Sequence, residues 1–203
     1  MPKLLLFVEK THPILREIIP EVQDFKEPTL HETIKDMCYS ILPKQLKDAK
    51  GAHESAAGMA ATQWGIKKRI FIFTPEGSDA DKKLEIMINP SYIPYLRSTE
   101  TEPKLVAAFE GCFSTPLTTG IVNRYEAIMA TYCNPEGEKI ERVMEGWEAR
   151  VFQHETDHLN GKLFDGTFDN YPGPECLERV IFKDAEEMEN FWVTKVRASR
   201  SEE

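Results

Sequence analysis

The apolar positions of this chain change period along its length. Over residues 28–47, Leu30, Ile34, Met37, Ile41 and Leu42 recur at helical intervals, which predicts a helix with Thr29 as a cap. A polar loop is expected over residues 47–56. Arg69–Thr74 and Glu85–Asn89 are short β-branched or aromatic runs and predict strands, joined by a polar turn over Glu76–Lys83. Tyr125–Tyr132 and Lys139–Met144 predict a hairpin around Asn134-Pro-Glu-Gly137. Ala149–Asn160 predicts a helix closed by Gly161. Pro174 is expected to open a last helix, with a stripe of Leu177, Ile181, Met188 and Trp192. The run Leu4–Val8 is too short to cross a membrane or to be a signal core, and predicts a strand or an N-terminal segment packed on the core. Neither an internal repeat nor a low-complexity tract is present.

At 203 residues, with 41% hydrophobic and 29% charged positions, the chain suits one globular unit with a sizeable core. A net charge of −9 repels a phosphate backbone, which argues against direct nucleic-acid binding. The densest basic runs, Lys67–Arg69 and Lys195–Arg200, are short and read as solvated charge. None of the four cysteines (Cys38, Cys112, Cys133, Cys176) forms a C-x-x-C pair. Reduced thiols in a cytoplasm are expected.

The chemistry is concentrated in Gln153-His-Glu-Thr-Asp-His158. Histidines four apart share one helix face, so His154 and His158 can reach one divalent metal. Glu155, beside the first histidine, is then free to take a proton from a water activated by that metal. Asp157 is rotated from the metal face by about 100° and is expected to be structural, paired with Arg124. A catalytic site of this kind needs a third protein ligand and an open position. His12, His31 and His53 sit in polar surroundings and read as bystanders. Cys112, in Glu110-Gly-Cys-Phe-Ser114, is the better candidate, since Gly111 permits close approach of another chain and a thiolate is a strong ligand.

Three motifs in order now resemble the peptide deformylase family. They are Gly58-Met-Ala-Ala-Thr-Gln63, Glu110-Gly-Cys-Phe-Ser114, and Gln153 to Gly161. Pro13-Ile-Leu-Arg16, Ile88-Asn-Pro90, Arg124-Tyr125 and Leu163-Phe164 add weaker matches. The resemblance implies an α+β fold, with a mixed or antiparallel sheet around a central metal-binding helix. It implies a catalytic domain over 1–165 and an extension with a helix, 166–203, on the same domain. It implies removal of the N-formyl group from formyl-methionine of nascent polypeptides, with release of formate. Cys112, His154 and His158 would hold Fe2+, with Zn2+, Ni2+ or Co2+ as substitutes. Glu155 would be the general base, and the Gln63 side chain and Phe113 backbone N–H would donate to the oxyanion. Gly58 and Gly111 would let the substrate backbone lie between two segments, with Trp147 and Arg150 near the methionine pocket.

Two departures from the family pattern stand out. Ala56 occupies a position where a second glycine is usual, and Phe113 replaces a small or aliphatic residue. The segment 43–55 is also longer than in short bacterial members. An H-E-x-x-H metallopeptidase is the rival enzyme, but it would bring a third His or Glu from a helix. A metal-stabilised binding module is the rival from another class, and it would close the site with a fourth protein ligand.

Overall fold

The computed structural model describes residues 1–48, 56–74, 84–98, 100–169 and 172–200. In chain order the elements are α1 (Pro28–Ser40), α2 (Pro43–Asp48), β1 (Gly58–Ala60), β2 (Ile70–Phe73), β3 (Glu85–Pro94), β4 (Leu105–Gly111), β5 (Thr118–Tyr125), β6 (Ala127–Cys133), β7 (Lys139–Glu145), α3 (Gly146–Leu159), β8 (Cys176–Ile181) and α4 (Ala185–Arg200). Short 3-10 turns cover Pro13–Arg16, Ala61–Trp64 and Gly166–Asp169. Two antiparallel sheets flank α3. One has the order β1-β2-β3-β6-β7, the other β4-β5-β8. β1 and β4 are therefore edge strands.

The predicted helix over 28–47 is two helices. Pro28 opens α1 at a position where its missing N–H costs nothing. Thr29 does not cap it; Glu27 stands at the N-cap and its carboxylate accepts from the Thr29 hydroxyl. Pro43 disfavours helical backbone at Leu42, so α1 ends and α2 begins afresh. Leu30, Ile34, Met37, Ile41 and Leu46 then bury one face against Met59, Trp64 and β2.

β2 is buried at all four positions, as a strand covered on both faces should be. The β6–β7 hairpin forms as its pattern predicts, from Ala127↔Glu145 to Cys133↔Lys139. β3 runs five residues beyond the predicted strand, past an irregularity between Ile88 and Ser91. There Asn89 takes φ 55°, and its amide pairs with both the N–H and the carbonyl of Val22 at 2.8 and 2.9 Å. The predicted turn over 76–83, His53 and most of the 47–56 loop lie outside the described residues.

The last region differs most from its sequence reading. Cys176–Ile181 is a strand pairing with β5, and the helix begins only at Ala185. Leu177 and Ile181 are 53% and 66% exposed, so their helical spacing marks no core face. β4 and β5 were likewise not anticipated as strands. The N-terminal run forms no strand but packs on the core, with Leu5 N–H on Ser40 Oγ and Val8 N–H on the Gln63 carbonyl. Among the described residues no helix is long and apolar enough to cross a membrane.

α3 is the axis of the larger core. Phe152 meets Phe71 edge-on at 5.3 Å, with Tyr92 and Tyr132 beside it. Its C-terminal end is fixed by Arg69, whose guanidinium donates to the carbonyls of Ile19, Leu159 and Pro90 and to Asn160 Oδ1. Gly161 follows at φ 69°, where a Cβ would sit 2.6 Å from the Arg16 carbonyl oxygen. The N-terminal turn and the end of the helix thus meet at a place only glycine fits.

Candidate active site

α3 projects His154 and His158 from one face, with ring centroids 5.0 Å apart. Cys112 reaches them from the turn that ends β4. One ligand atom from each of the three lies within 4.8 Å of the others, and Cys112 Sγ is 3.2 Å from His158 Nε2. His154 turns its Nδ1 to Glu110 Oε2 at 2.9 Å, which leaves its Nε2 for the cluster. A carboxylate on the outer nitrogen is the usual support of a metal-binding imidazole. One thiolate and two imidazoles are a donor set for a borderline-soft divalent metal, and three ligands leave an open position.

Glu110 anchors a buried charge network. It accepts from Arg124 Nε and Nη2 at 2.7 and 2.9 Å and from Arg150 Nη1 at 2.7 Å, besides His154. Arg124 spans to Asp157 at 2.7 Å, so the expected Asp157–Arg124 pair forms. Burial opposes the Glu110 charge, but Arg124 and His154 outweigh it and hold the carboxyl well below the usual range. Burial also opposes charge on His154, yet Cys112 and Glu110 raise its pKa. Burial and the neighbouring His154 lower that of His158.

Glu155 is 4% exposed, and burial pushes its carboxyl up to about 7 against the opposing pull of His154 and the Ala60 backbone. Its side chain lies over Gly58, where a Cβ would be 2.7 Å from Glu155 Cγ and 2.9 Å from Oε1. Gly58 is thus needed for the room it leaves, not for a positive φ, and Ala56 in place of a glycine costs no such turn. Gln63 divides its amide: Oε1 accepts from Ala60 N–H at 2.9 Å, and Nε2 faces Cys112 Sγ at 3.5 Å. The Phe113 ring stacks on Phe7 at 5.2 Å, and Phe7 on Trp64 at 5.9 Å.

Cys112, His154, Glu155, Gln63 and Phe113 border a cavity of about 240 Å³. Gly58, Gly111 and Trp147 line it, together with Ala57 and Val151. Met59 does not; it is buried in the core with α1. Arg150 lines the cavity with its stem while its guanidinium is held by Glu110 and the Val122 carbonyl. Phe109 and Trp192 complete the wall, and neither was flagged by sequence. Glu110 supports the cluster from two residues before Cys112, and that position in its motif is the one sequence signal for its role. His12 caps the first 3-10 turn and His31 contacts the Phe25 carbonyl, so both are remote from the cluster.

A buried Cys/His/His metal-binding cluster, with a shielded carboxylate beside it and an edge-strand cleft leading to it, defines a metal-dependent hydrolase. Residues 5–170 match the family model described as polypeptide deformylase. A peptide deformylase of Thermotoga petrophila is 35% identical over 151 residues, covering 74% of this chain and 79% of that one. Peptide deformylase 1 of Bordetella pertussis is 34% identical over 157 residues, covering 75% and 80%. Among solved structures, a plant peptide deformylase superposes with a TM-score of 0.66 at 29% identity, covering 85% of this chain and 83% of that one. The Acinetobacter baumannii enzyme, solved with Met-Ala-Ser bound, gives 0.62 at 29% identity, covering 81% and 98%. The chain belongs to the peptide deformylase family. Its activity is metal-dependent hydrolysis of the N-formyl group from the formyl-methionine of nascent chains.

Proposed function

We propose that Cys112, His154 and His158 hold one Fe2+ ion, for which Zn2+, Ni2+ or Co2+ can substitute, and that Glu155 is the general base. The convergence of the three ligand atoms within 4.8 Å carries the first assignment. When bound, such a metal acidifies water and polarises the formyl carbonyl. Glu155 accepts the proton of the attacking water and returns one to the departing amine. Its Oε2 has no hydrogen-bond partner among the described residues, and a carboxyl shifted to about 7 suits both directions near neutral pH. The Gln63 Nε2 and the Phe113 backbone N–H stabilise the oxyanion. Gln63 is held for this by its bond to Ala60, so the donor is already aimed when substrate arrives.

The substrate backbone joins the edges of β1 and β4, beside Gly58 and Gly111. Its methionine side chain rests against Val151 and Trp147, where an unbranched thioether fits an apolar wall. Residues 1–165 form the catalytic domain and 166–203 an extension, whose described part packs on it. The four cysteines are free, which suits work in the cytoplasm on chains emerging from the ribosome.

The test is kcat/KM for formyl-Met-Ala-Ser, formyl-Met and formyl-Asp-Ala-Ser at one pH and one metal content, with metal analysis of anaerobically purified protein. The tripeptide of methionine should lead. Free formyl-Met lacks the backbone to pair with both edges, and a buried unpaired carboxylate is costly. Equal values across the three would overturn both the strand-addition and the apolar-pocket assignments.

A further inference from the structure

The two groups assigned to the oxyanion come from separate motifs, and one stretch of the N-terminal segment touches the surroundings of both. The Phe7 ring makes two stacked contacts, with Phe113 at 5.2 Å and 15° and with Trp64 at 5.9 Å and 23°. Trp64 directly follows Gln63 in the 3-10 turn Ala61–Trp64. The next residue of the segment, Val8, donates its N–H to the Gln63 carbonyl at 3.0 Å. Val8 also lies close against Gly65, where a Cβ would sit 3.0 Å from its Cγ1. Nearer the N-terminus, Lys3 N–H bonds Asp36 Oδ1 and Leu5 N–H bonds Ser40 Oγ, both at 2.8 Å, so α1 holds the segment in place. The Phe113 ring, which stands where a small or aliphatic side chain is usual in the family, is thus matched by Phe7.

We propose that Phe7 is a positioning residue for the deformylase reaction: its stacked contacts fix the Phe113 backbone N–H and the Gln63 side-chain amide relative to each other before substrate binds. This rests on the oxyanion assignment above. A stacked partner restrains the Phe113 side chain, and through it the direction of the N–H on the same residue. On the other side, the Phe7–Trp64 contact and the Val8–Gln63 bond hold the turn whose Gln63 amide is aimed by Ala60. Phe7 does not line the cavity, so it acts through its neighbours alone. Oxyanion donors work by being aimed before the charge forms. The oxyanion develops only after substrate is bound, so a loosened pair of donors lowers kcat and kcat/KM alike and leaves KM unchanged.

The test compares metal-replete wild type with Phe7→Ala, Phe7→Tyr, Leu5→Ala and Gln63→Ala on formyl-Met-Ala-Ser. The NMR signals of the Gln63 side-chain amide and the Phe113 N–H are followed in the Zn2+-loaded proteins. Losing one donor outright costs about 10²–10³ in rate and loosening costs less, so Phe7→Ala should lower kcat about tenfold at unchanged KM and shift both signals. Phe7→Tyr keeps the ring and should restore both readouts. Leu5 packs on the same core cluster from the same segment. Leu5→Ala should lose stability to denaturant while kcat and both signals stay as in wild type. Wild-type kcat in folded Phe7→Ala overturns the proposal. So does a fall in kcat with both signals unmoved, or an equal fall in Leu5→Ala. Should Phe7→Ala fail to fold, Phe7→Leu decides: it fills the space without a stacked ring and should lower kcat about threefold, and an unchanged kcat overturns the proposal. Gln63→Ala checks the underlying assignment separately. A loss near 10² there, beside normal turnover in Phe7→Ala, sinks the positioning role alone. Full activity in Gln63→Ala sinks the oxyanion assignment and the positioning role with it.

Discussion

Gly58 and Glu155 are so close that a methyl group on the glycine would meet the glutamate Cγ at 2.7 Å. The Glu155 carboxylate, proposed above as the base, therefore owes its position to a missing side chain on a facing strand. Gly58→Ala should displace Glu155 while leaving Cys112, His154 and His158 in place. An error near 1 Å in a catalytic group costs about 10²-fold in rate. Retained metal content with kcat reduced by that order is expected. Wild-type turnover in the alanine enzyme would show that Glu155 works equally well from elsewhere.

Glu155→Gln tests the base itself. The amide preserves size and keeps the neighbouring ligands, so metal should stay bound, measured as one equivalent per chain. Hydrolysis should fall by at least about 10², the usual contribution of a positioned base. A metal-replete variant with near-normal turnover would require another proton acceptor.

Cys112→Ser replaces an anionic soft ligand by a neutral hydroxyl and should weaken metal binding, read by competition with a chelator. The Fe2+ enzyme should also lose activity in air faster than the Ni2+ or Zn2+ enzyme, because thiolate and ferrous ion are both oxidisable. If the serine variant bound metal as tightly as wild type, a different third ligand would have to be sought.

Arg124 bridges Glu110 and Asp157, at 2.7 Å to each. Arg124→Met would strand the Asp157 carboxylate and leave Glu110 with Arg150 and His154. Breaking a buried pair this way costs about 3–5 kcal/mol. Denaturant unfolding should show a loss of that size, together with weaker metal binding as Glu110 loosens its hold on His154. A loss below about 1 kcal/mol would mean that water or rearrangement compensates the acids.

A second acid offers a pH test away from the metal. Asp169 sits below its ordinary value of 3.8, through hydrogen bonds from Lys10 and Arg179. A carboxyl lowered on folding adds stability above its unfolded pKa and loses it as pH falls through the folded one. Asp169→Asn should thus cost stability at pH 7, by about 0.5–1 kcal/mol given its partial exposure, and the difference should shrink below about pH 4. Parallel unfolding curves for the two proteins from pH 7 to pH 2.5 would contradict the linkage.

Much of this was legible from order and spacing. The α3 histidines, Cys112, Gln63 and Glu155 converge because each sits in a short motif whose local geometry fixes its direction. The β6–β7 hairpin was legible because its turn and alternation are strong. β4 and β5 were not, since Ala107, Ala108, Gly111 and Gly120 dilute the strand pattern. β8 misled because Leu177 and Ile181 stand four apart and imitate a helix stripe, although pairing with β5 decides their backbone. The α1–α2 break came from one proline that periodicity ignores. Trp192 could not be placed in the cleft at all, because its contact with Phe109 crosses more than eighty residues of chain.

Among the described residues β1 and β4 are sheet edges, and the edges proposed above to take the substrate carry a hazard as well. Unpaired N–H and C=O groups on a sheet edge accept any extended segment, including one from another copy of the protein. β1 limits the exposure by being three residues long. β4 is seven residues long, and it buries the charge of Glu110 behind its edge rather than displaying it. An edge that can take in an extended peptide can also take in a strand of another copy, and a peptide occupying that edge would block such pairing.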